Sequence, residues 1–287
     1  MEVEQYEIMS QAEEQHWWYL GLRDAIRRCL ALQSINLPAN PKVLDAGCGT
    51  GGNLRFLAEL LQPSYLAGFD VNKLAIEHAR RKCPQADVYA SDIRQPELHR
   101  ADFDLIISCD VLYVPGLADS RPGLERLVGA LKPGGLLILN LPAYGWLTSA
   151  HDRAVHTRER YLLSQVGQLL SDLHLEHVRI SYRLCSLLPL IVLSRLPSLI
   201  WPKLRSNGSD LKQPARWLNR MLILNLQLEN RLIVRGGRWP FGSSIFAIGR
   251  KVLVTDSSSE LDHKYYWQPR VQPLGFVEYR SEQTTRS

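Results

Sequence analysis

The sequence predicts an α/β fold, a mainly parallel sheet covered by helices on both faces. Two observations predict it. Short apolar runs alternate with amphipathic stretches from residue 42 to residue 142, and each run ends near an acid or a glycine. The length of 287 residues is ample for one large domain with an added cap.

The elements follow in order. Ser10 with Glu13 predicts a capping box opening a helix whose apolar face holds Trp18, Leu22, Ile26, Cys29 and Leu30, ended by LPANP. KVLDAG is a strand and NLRFLAELL a helix ended by Pro63. YLAGFD is a strand and KLAIEHARRKC a helix ended by Pro84. ADVYASD and FDLIISCDVL are strands, LERLVGALK a helix stopped by KPGG, and LLILNLPA a fifth strand. Farther on, RERYLLSQVGQLLSDLH predicts a helix, LEHVRISYRL a strand and SSIFAIGRKVLV a final strand.

In such sheets a ligand sits outside the carboxyl ends of the strands. Asp45, Asp70, Asp92 and Asp110 each stand at or just past the end of an apolar strand, so four acids share one edge. Between the first strand and its helix lies GCGTGG, where a ligand can approach bare backbone near a helix N-terminus. Asp70, at the end of the second strand, is spaced to take both hydroxyls of a ribose. A nucleoside ligand fits, and spacing alone leaves both a nicotinamide dinucleotide and S-adenosylmethionine open. Two details lean toward the latter. Asp45 stands just before the first glycine, where it receives a cationic amino group but repels a pyrophosphate. The loop GCGTGG also lacks a plain GxGxxG ending, although Gly52 lets that pattern be read loosely.

VLDAGCGTGG, residues 43–52, resembles the cofactor signature of class I S-adenosylmethionine-dependent methyltransferases. The resemblance continues in order through FDLIISCDVLYV and LKPGGLLILNLPA, covering about residues 42 to 142. It implies a Rossmann-like seven-stranded sheet with a helical cap inserted before the last strand. It also implies a cofactor site of Asp45, Gly47, Cys48 and Gly49 in the loop, Asp70 and Val71 at the ribose and adenine, Asp92 at the adenine amino group, and Ile93 against the ring. Asp110 falls beside the reaction centre. EEQHWWYLGLRD resembles an N-terminal helix that lies over cofactor and substrate in a bacterial subgroup, which makes Trp17, Trp18 and Arg23 candidates for closing the pocket, Arg23 on the cofactor carboxylate. The plainer reading of the tryptophans is that they dock this helix to the sheet.

On the acceptor side, LPAYGWLTSAHDRAVHTRERY follows the fifth strand at the same sheet edge. His151 and then His156 are the candidate general bases, with Tyr144 beside them. Asp152 can equally orient His151 as a structural pair. No metal is expected, since four ligands at suitable spacing are not visible. The five cysteines lack a CxxC pair and read as small buried apolar residues.

The expected domains are a methyltransferase domain with a lid helix over 1–183, a basic apolar helical insert over 184–240, the last core strand over 241–254 and a tail over 255–287. The insert carries nine Lys or Arg against Asp210 and Glu229, within a chain of net charge +5. Its apolar run at 186–201 is shorter than the roughly 20 residues a bilayer span needs. An amphipathic helix follows, suited to a cap, a homodimer contact or a peripheral membrane contact. Nucleic acid is disfavoured, because the arginines are scattered along apolar helices rather than forming a polar stripe. The acidic, polar N-terminus has no signal-peptide pattern, and the expected location is cytoplasmic, with peripheral attachment to a membrane open. The expected activity is methyl transfer to a hydrophobic small molecule, such as a specialised metabolite, quinone or lipid-like acceptor. The alternatives are a nicotinamide-dependent oxidoreductase and a non-catalytic S-adenosylmethionine-binding protein at a membrane surface.

Overall fold

The computed structural model describes residues 3–32, 35–113, 117–147, 159–193 and 214–252. Seven strands form one sheet: β1 (Lys42–Ala46), β2 (Tyr65–Asp70), β3 (Asp87–Ala90), β4 (Phe103–Cys109), β5 (Leu131–Pro142), β6 (Leu175–Arg183) and β7 (Ser244–Lys251). Their order is β3-β2-β1-β4-β5-β7-β6. The first five strands run parallel to one another, and β7 runs antiparallel to both β5 and β6. The order reverses between β1 and β4, so a crevice opens at their carboxyl ends.

The period of two along each strand separates the core into two layers. Val43, Leu105, Ile107 and Phe246 pack under α2 (Trp17–Leu30), α3 (Gly52–Leu61) and α4 (Lys73–Lys82). Leu44, Ile106, Leu137 and Ala247 face α5 (Leu117–Ala130) and α6 (Leu163–Asp172) on the other side. This is the two-sided α/β sheet that the alternation predicts.

Three boundaries differ from the sequence reading. The N-terminal helix is two helices, α1 (Val3–Ala12) and α2, and Ser10 lies inside the first. No capping box forms there, because Glu13 turns its carboxylate to Lys82 Nζ on α4 at 2.5 Å. His16 caps α2 instead, its Nδ1 accepting the Trp18 N–H at 3.3 Å. Burial pushes the His16 imidazole down to about 4, which keeps this nitrogen free to accept. The second difference is at α5, which begins at Leu117 rather than Leu124 and ends before KPGG. β5 runs through those residues with a break in register between Phe103↔Leu131 and Leu105↔Leu136. Finally, α6 begins at Leu163, because Tyr161 is held in a bridge to Ala143 beyond β5.

The described part of the insert contains α7 (Arg216–Val234), which packs along α2. Gly21 permits the close approach: a Cβ there would stand 2.3 Å from Leu226 Cδ1. Asn230 Nδ2 donates to Gly21 O and to Asp24 Oδ2, both at 2.9 Å. Asn219 ties the start of α2, accepting from Trp17 N at 2.9 Å and donating to Gln15 O at 2.8 Å. Among the described residues no helix is long and apolar enough to cross a membrane.

Candidate active site

The crevice is built on the turn after β1. Gly47, Gly49 and Gly51 all have positive φ, of 84°, 53° and 85°. A Cβ on Gly47 would meet Val111 Cγ2 at 2.3 Å, so the turn and the loop after β4 touch backbone to side chain. Gly47 N and Cys48 N both donate to Phe69 O at 2.9 Å, which fastens the turn to β2. The Cys48 thiol is buried, with Sγ 3.8 Å from Gly49 O, so backbone is what this position offers a ligand. Asp70 braces the loop from the end of β2. Its Oδ2 accepts Gly49 N at 3.0 Å and its Oδ1 accepts Asn72 N at 2.9 Å. Burial raises its carboxyl pKa while these backbone donors oppose the shift.

Two charged groups beside this loop are buried without full pairing. Asp45 is 1% exposed, and its Oδ2 has no hydrogen-bond partner among the described residues. Burial pushes its carboxyl up to about 8, with Glu13 and Asp70 adding to the rise and Arg23 opposing it. Arg23, on α2, donates from Nη1 to Glu13 O at 2.9 Å and from Nε to Asn53 Oδ1 at 3.4 Å. Its Nη2 is buried and unpartnered among the described residues. A Cβ on Gly52 would stand 2.3 Å from that nitrogen, which fixes the guanidinium over the start of α3. Met9 of α1 comes within 3.2 Å of where a Gly49 Cβ would be, so the N-terminal helices close over the glycine loop.

An unsatisfied buried acid and an unsatisfied buried guanidinium flank a bare backbone loop. That arrangement fits an amino-acid zwitterion, its ammonium on Asp45 and its carboxylate on Arg23. The core of this chain is a class I methyltransferase domain. Residues 43–135, about a third of the chain, match the family model described as "Methyltransferase domain". Trans-aconitate 2-methyltransferase of Variovorax paradoxus is 33% identical over 112 residues, which is 39% of this chain and 42% of that protein. Phosphoethanolamine N-methyltransferase 3 of Arabidopsis thaliana is 30% identical over 154 residues, 50% of this chain and 30% of that one. The chain thus spans less than half the length of these curated relatives. In fold it is similar to the plantazolicin methyltransferase BpumL solved in complex with SAH, with a TM-score of 0.55 at 16% identity over 88% of this chain and 91% of that one.

The remaining predicted residues of the methyltransferase domain lie along the same edge. Val71 follows Asp70 and is largely exposed, a free apolar surface at the end of β2. Ile93 is buried, while Asp92 is gripped by Arg94, whose Nε reaches both carboxylate oxygens at 3.1 and 2.9 Å. That guanidinium holds the Asp92 carboxyl below its usual range. Trp17 and Trp18 pack against Leu184, Leu187 and Leu226 at the join of α2 and the insert, and Trp18 also lies on the sheet-side core. Tyr144 has a positive φ of 55° and stacks on Tyr182 with ring centroids 5.2 Å apart. His151, His156 and Asp152 lie outside the described residues.

Asp110 stands at the same sheet edge, at the end of β4. It holds a left-handed φ of 58° just past β4, and burial pushes its carboxyl up to about 7. Its Oδ2 accepts Asn140 Nδ2 at 2.7 Å, and Asn140 Oδ1 accepts Arg183 Nη1 at 3.1 Å. Sequence reasoning did not single out Asn140 or Arg183, although each is a lone polar residue inside an apolar strand, in LLILNLPA and ISYRLC. Tyr19 was missed as well. Its hydroxyl is pushed far above the usual range by burial and then by Glu13, Tyr113 and Asp110, so it faces the same acids from α2.

Proposed function

We infer that the chain transfers the methyl group of S-adenosylmethionine to a hydrophobic small-molecule acceptor, such as a specialised metabolite, quinone or lipid-like compound. The observation that carries the cofactor is the pairing of two unsatisfied buried groups, Asp45 Oδ2 and Arg23 Nη2, at one glycine loop. A pyrophosphate would instead face Glu13, Asp45 and Asp70, at a site where burial, with Glu13 and Asp70 adding to it, already pushes the Asp45 carboxyl up to about 8.

When bound, the cofactor supplies a methyl group on a cationic sulfur, open to in-line attack. The chain's own residues hold and align. Asp45 receives the ammonium and Arg23 the carboxylate. Gly47 and Gly49 let the backbone come close, Asp70 accepts from the ribose hydroxyls, and Val71 with Ile93 borders the adenine, with Asp92 at its amino group. Alignment of this kind supplies about 7–11 kcal/mol in well-oriented reactions. On the acceptor side, Asp110 is half-buried, its carboxyl is pushed up to about 7 by desolvation and it is held by Asn140, which suits it to accept a proton from an acceptor hydroxyl or ammonium. His151 and His156 remain the other candidate bases. The relatives named for trans-aconitate and for phosphoethanolamine share this core at similar identity, so the core does not select the acceptor. The apolar insert is the part that favours a hydrophobic one.

Calorimetric titration with S-adenosylhomocysteine and, separately, NADH tests the reading, with Asp70→Ala as control. Binding of the first, lost in the variant, supports it. Binding of NADH alone sinks it and favours an oxidoreductase.

A further inference from the structure

α7 has two apolar faces, and its structure accounts for only one. Leu226, Glu229, Asn230 and Ile233 are buried on the side that meets the body of the protein. On the other side Trp217, Met221, Leu224, Leu228 and Leu232 are 48–67% exposed. Their spacing of four, three, four and four residues keeps them on one continuous stripe of the helix. Leu190 and Leu193, in the helical turns at 188–193, are exposed as well. A stripe this long exceeds the scattered apolar residues normal on a soluble surface and marks an interaction site.

The charges choose the partner. At 3.6 residues per turn, Arg216, Arg220 and Arg231 run along one border of the stripe, and all three are exposed. The only acid of the helix, Glu229, is 3% exposed, accepting from Cys185 N and Ser186 N at 3.2 Å. The helix therefore shows apolar and cationic groups and no exposed anionic ones. Helix pairs between copies set opposite charges across the flanks of the seam, which this helix cannot do for itself. An apolar stripe bordered by arginine is instead the pattern of a helix lying in the headgroup boundary of an anionic bilayer.

We propose that the exposed face of α7, centred on Met221, Leu224 and Leu228 and bordered by Arg216, Arg220 and Arg231, docks on an anionic membrane surface. The leucines and Trp217 enter the acyl boundary, and the arginines meet lipid phosphates. A bilayer seated there would lie about 10 Å, one helix diameter, from α2, which carries Tyr19 and Arg23. The proposal does not depend on methyl transfer.

The test is sedimentation of the full chain with vesicles of phosphatidylcholine alone and of phosphatidylcholine mixed with phosphatidylglycerol. The expected result is partitioning onto the mixed vesicles only, weakening as salt rises. Met221→Glu combined with Leu228→Glu should reduce partitioning at least about tenfold, since both side chains would bring charge into the acyl boundary. Because both positions are exposed, the thermal midpoint and the affinity for S-adenosylhomocysteine should stay unchanged. Failure to partition, or equal partitioning onto neutral and anionic vesicles, overturns the proposal. So does light scattering that shows a dimer without vesicles and a monomer for the double variant, since the stripe would then be a seam between copies.

Discussion

Arg183 reaches Asp110 through a single amide. Asn140 donates to the carboxylate at 2.7 Å and accepts from the guanidinium at 3.1 Å, and the Asn140 and Arg183 side chains are buried while Asp110 is half-buried. Burying either charge alone is expensive, and an amide that bonds to both reduces the penalty on each side. Asn140→Ala should therefore lower stability by about 2–4 kcal/mol, through two lost charge-assisted bonds. Urea unfolding measures it. A loss under about 0.5 kcal/mol would mean that water replaces the amide, and the relay would then have no structural weight.

Asp45 and Asp110 make a second prediction through pH. Both have folded-state pKa values raised above 3.8, to about 8 and about 7. Between about pH 4 and 8 the folded chain holds protons that the unfolded chain has released, so ligand-free stability should fall as pH rises through that window. An ammonium placed on Asp45 favours the carboxylate, so S-adenosylhomocysteine should release up to about one proton on binding at pH 7. Calorimetry in buffers of different ionisation enthalpy counts it. Asp45→Asn should flatten the stability profile and remove the release. Binding without proton release would show that Asp45 is already ionised or does not meet the ligand.

Most of this site's frame was legible in the sequence because it is local. The strand ends at Asp45, Asp70 and Asp110 and the glycines between β1 and α3 are written in consecutive residues. What was not legible depends on partners distant in the chain. Glu13 reads as a capping residue for Ser10, yet its carboxylate goes to Lys82, 69 positions away. Arg183 and Asn140 read as ordinary strand residues until β5 and β6 are seen flanking β7 with both side chains buried toward Asp110. The pairing of α7 with α2 is likewise set by Gly21 and Asn230, whose separation no periodicity reveals.

Two adjacent glycines should fail differently. Gly51 has a φ of 85°, and a Cβ there would stand 2.7 Å from Ala79 Cα, a backbone atom of α4. Gly51→Ala should destabilise the fold by at least about 1–2 kcal/mol, from the left-handed backbone and the forced separation of α3 and α4. At Gly52 the obstacles are the far ends of Arg23 and Glu13, at 2.3 and 2.5 Å. Gly52→Ala should largely keep the thermal midpoint but displace the guanidinium and weaken S-adenosylhomocysteine binding. Equal losses of stability in both variants would contradict this division.

Arg23→Met isolates the guanidinium from the packing of its stem. Arg23 Nη2 is the unpaired donor that the cofactor's carboxylate would meet, while its Nη1 bond to Glu13 O belongs to the lid. Removing a charge-assisted bond to a carboxylate should reduce S-adenosylhomocysteine affinity by roughly tenfold to a hundredfold. Adenosine, which shares the ribose and base but has no amino-acid portion, should bind the variant as it binds the natural protein. If adenosine loses as much as S-adenosylhomocysteine, Arg23 acts only by holding α2 over the site. If neither loses, the carboxylate is held elsewhere and the zwitterion assignment at Asp45 must be redrawn.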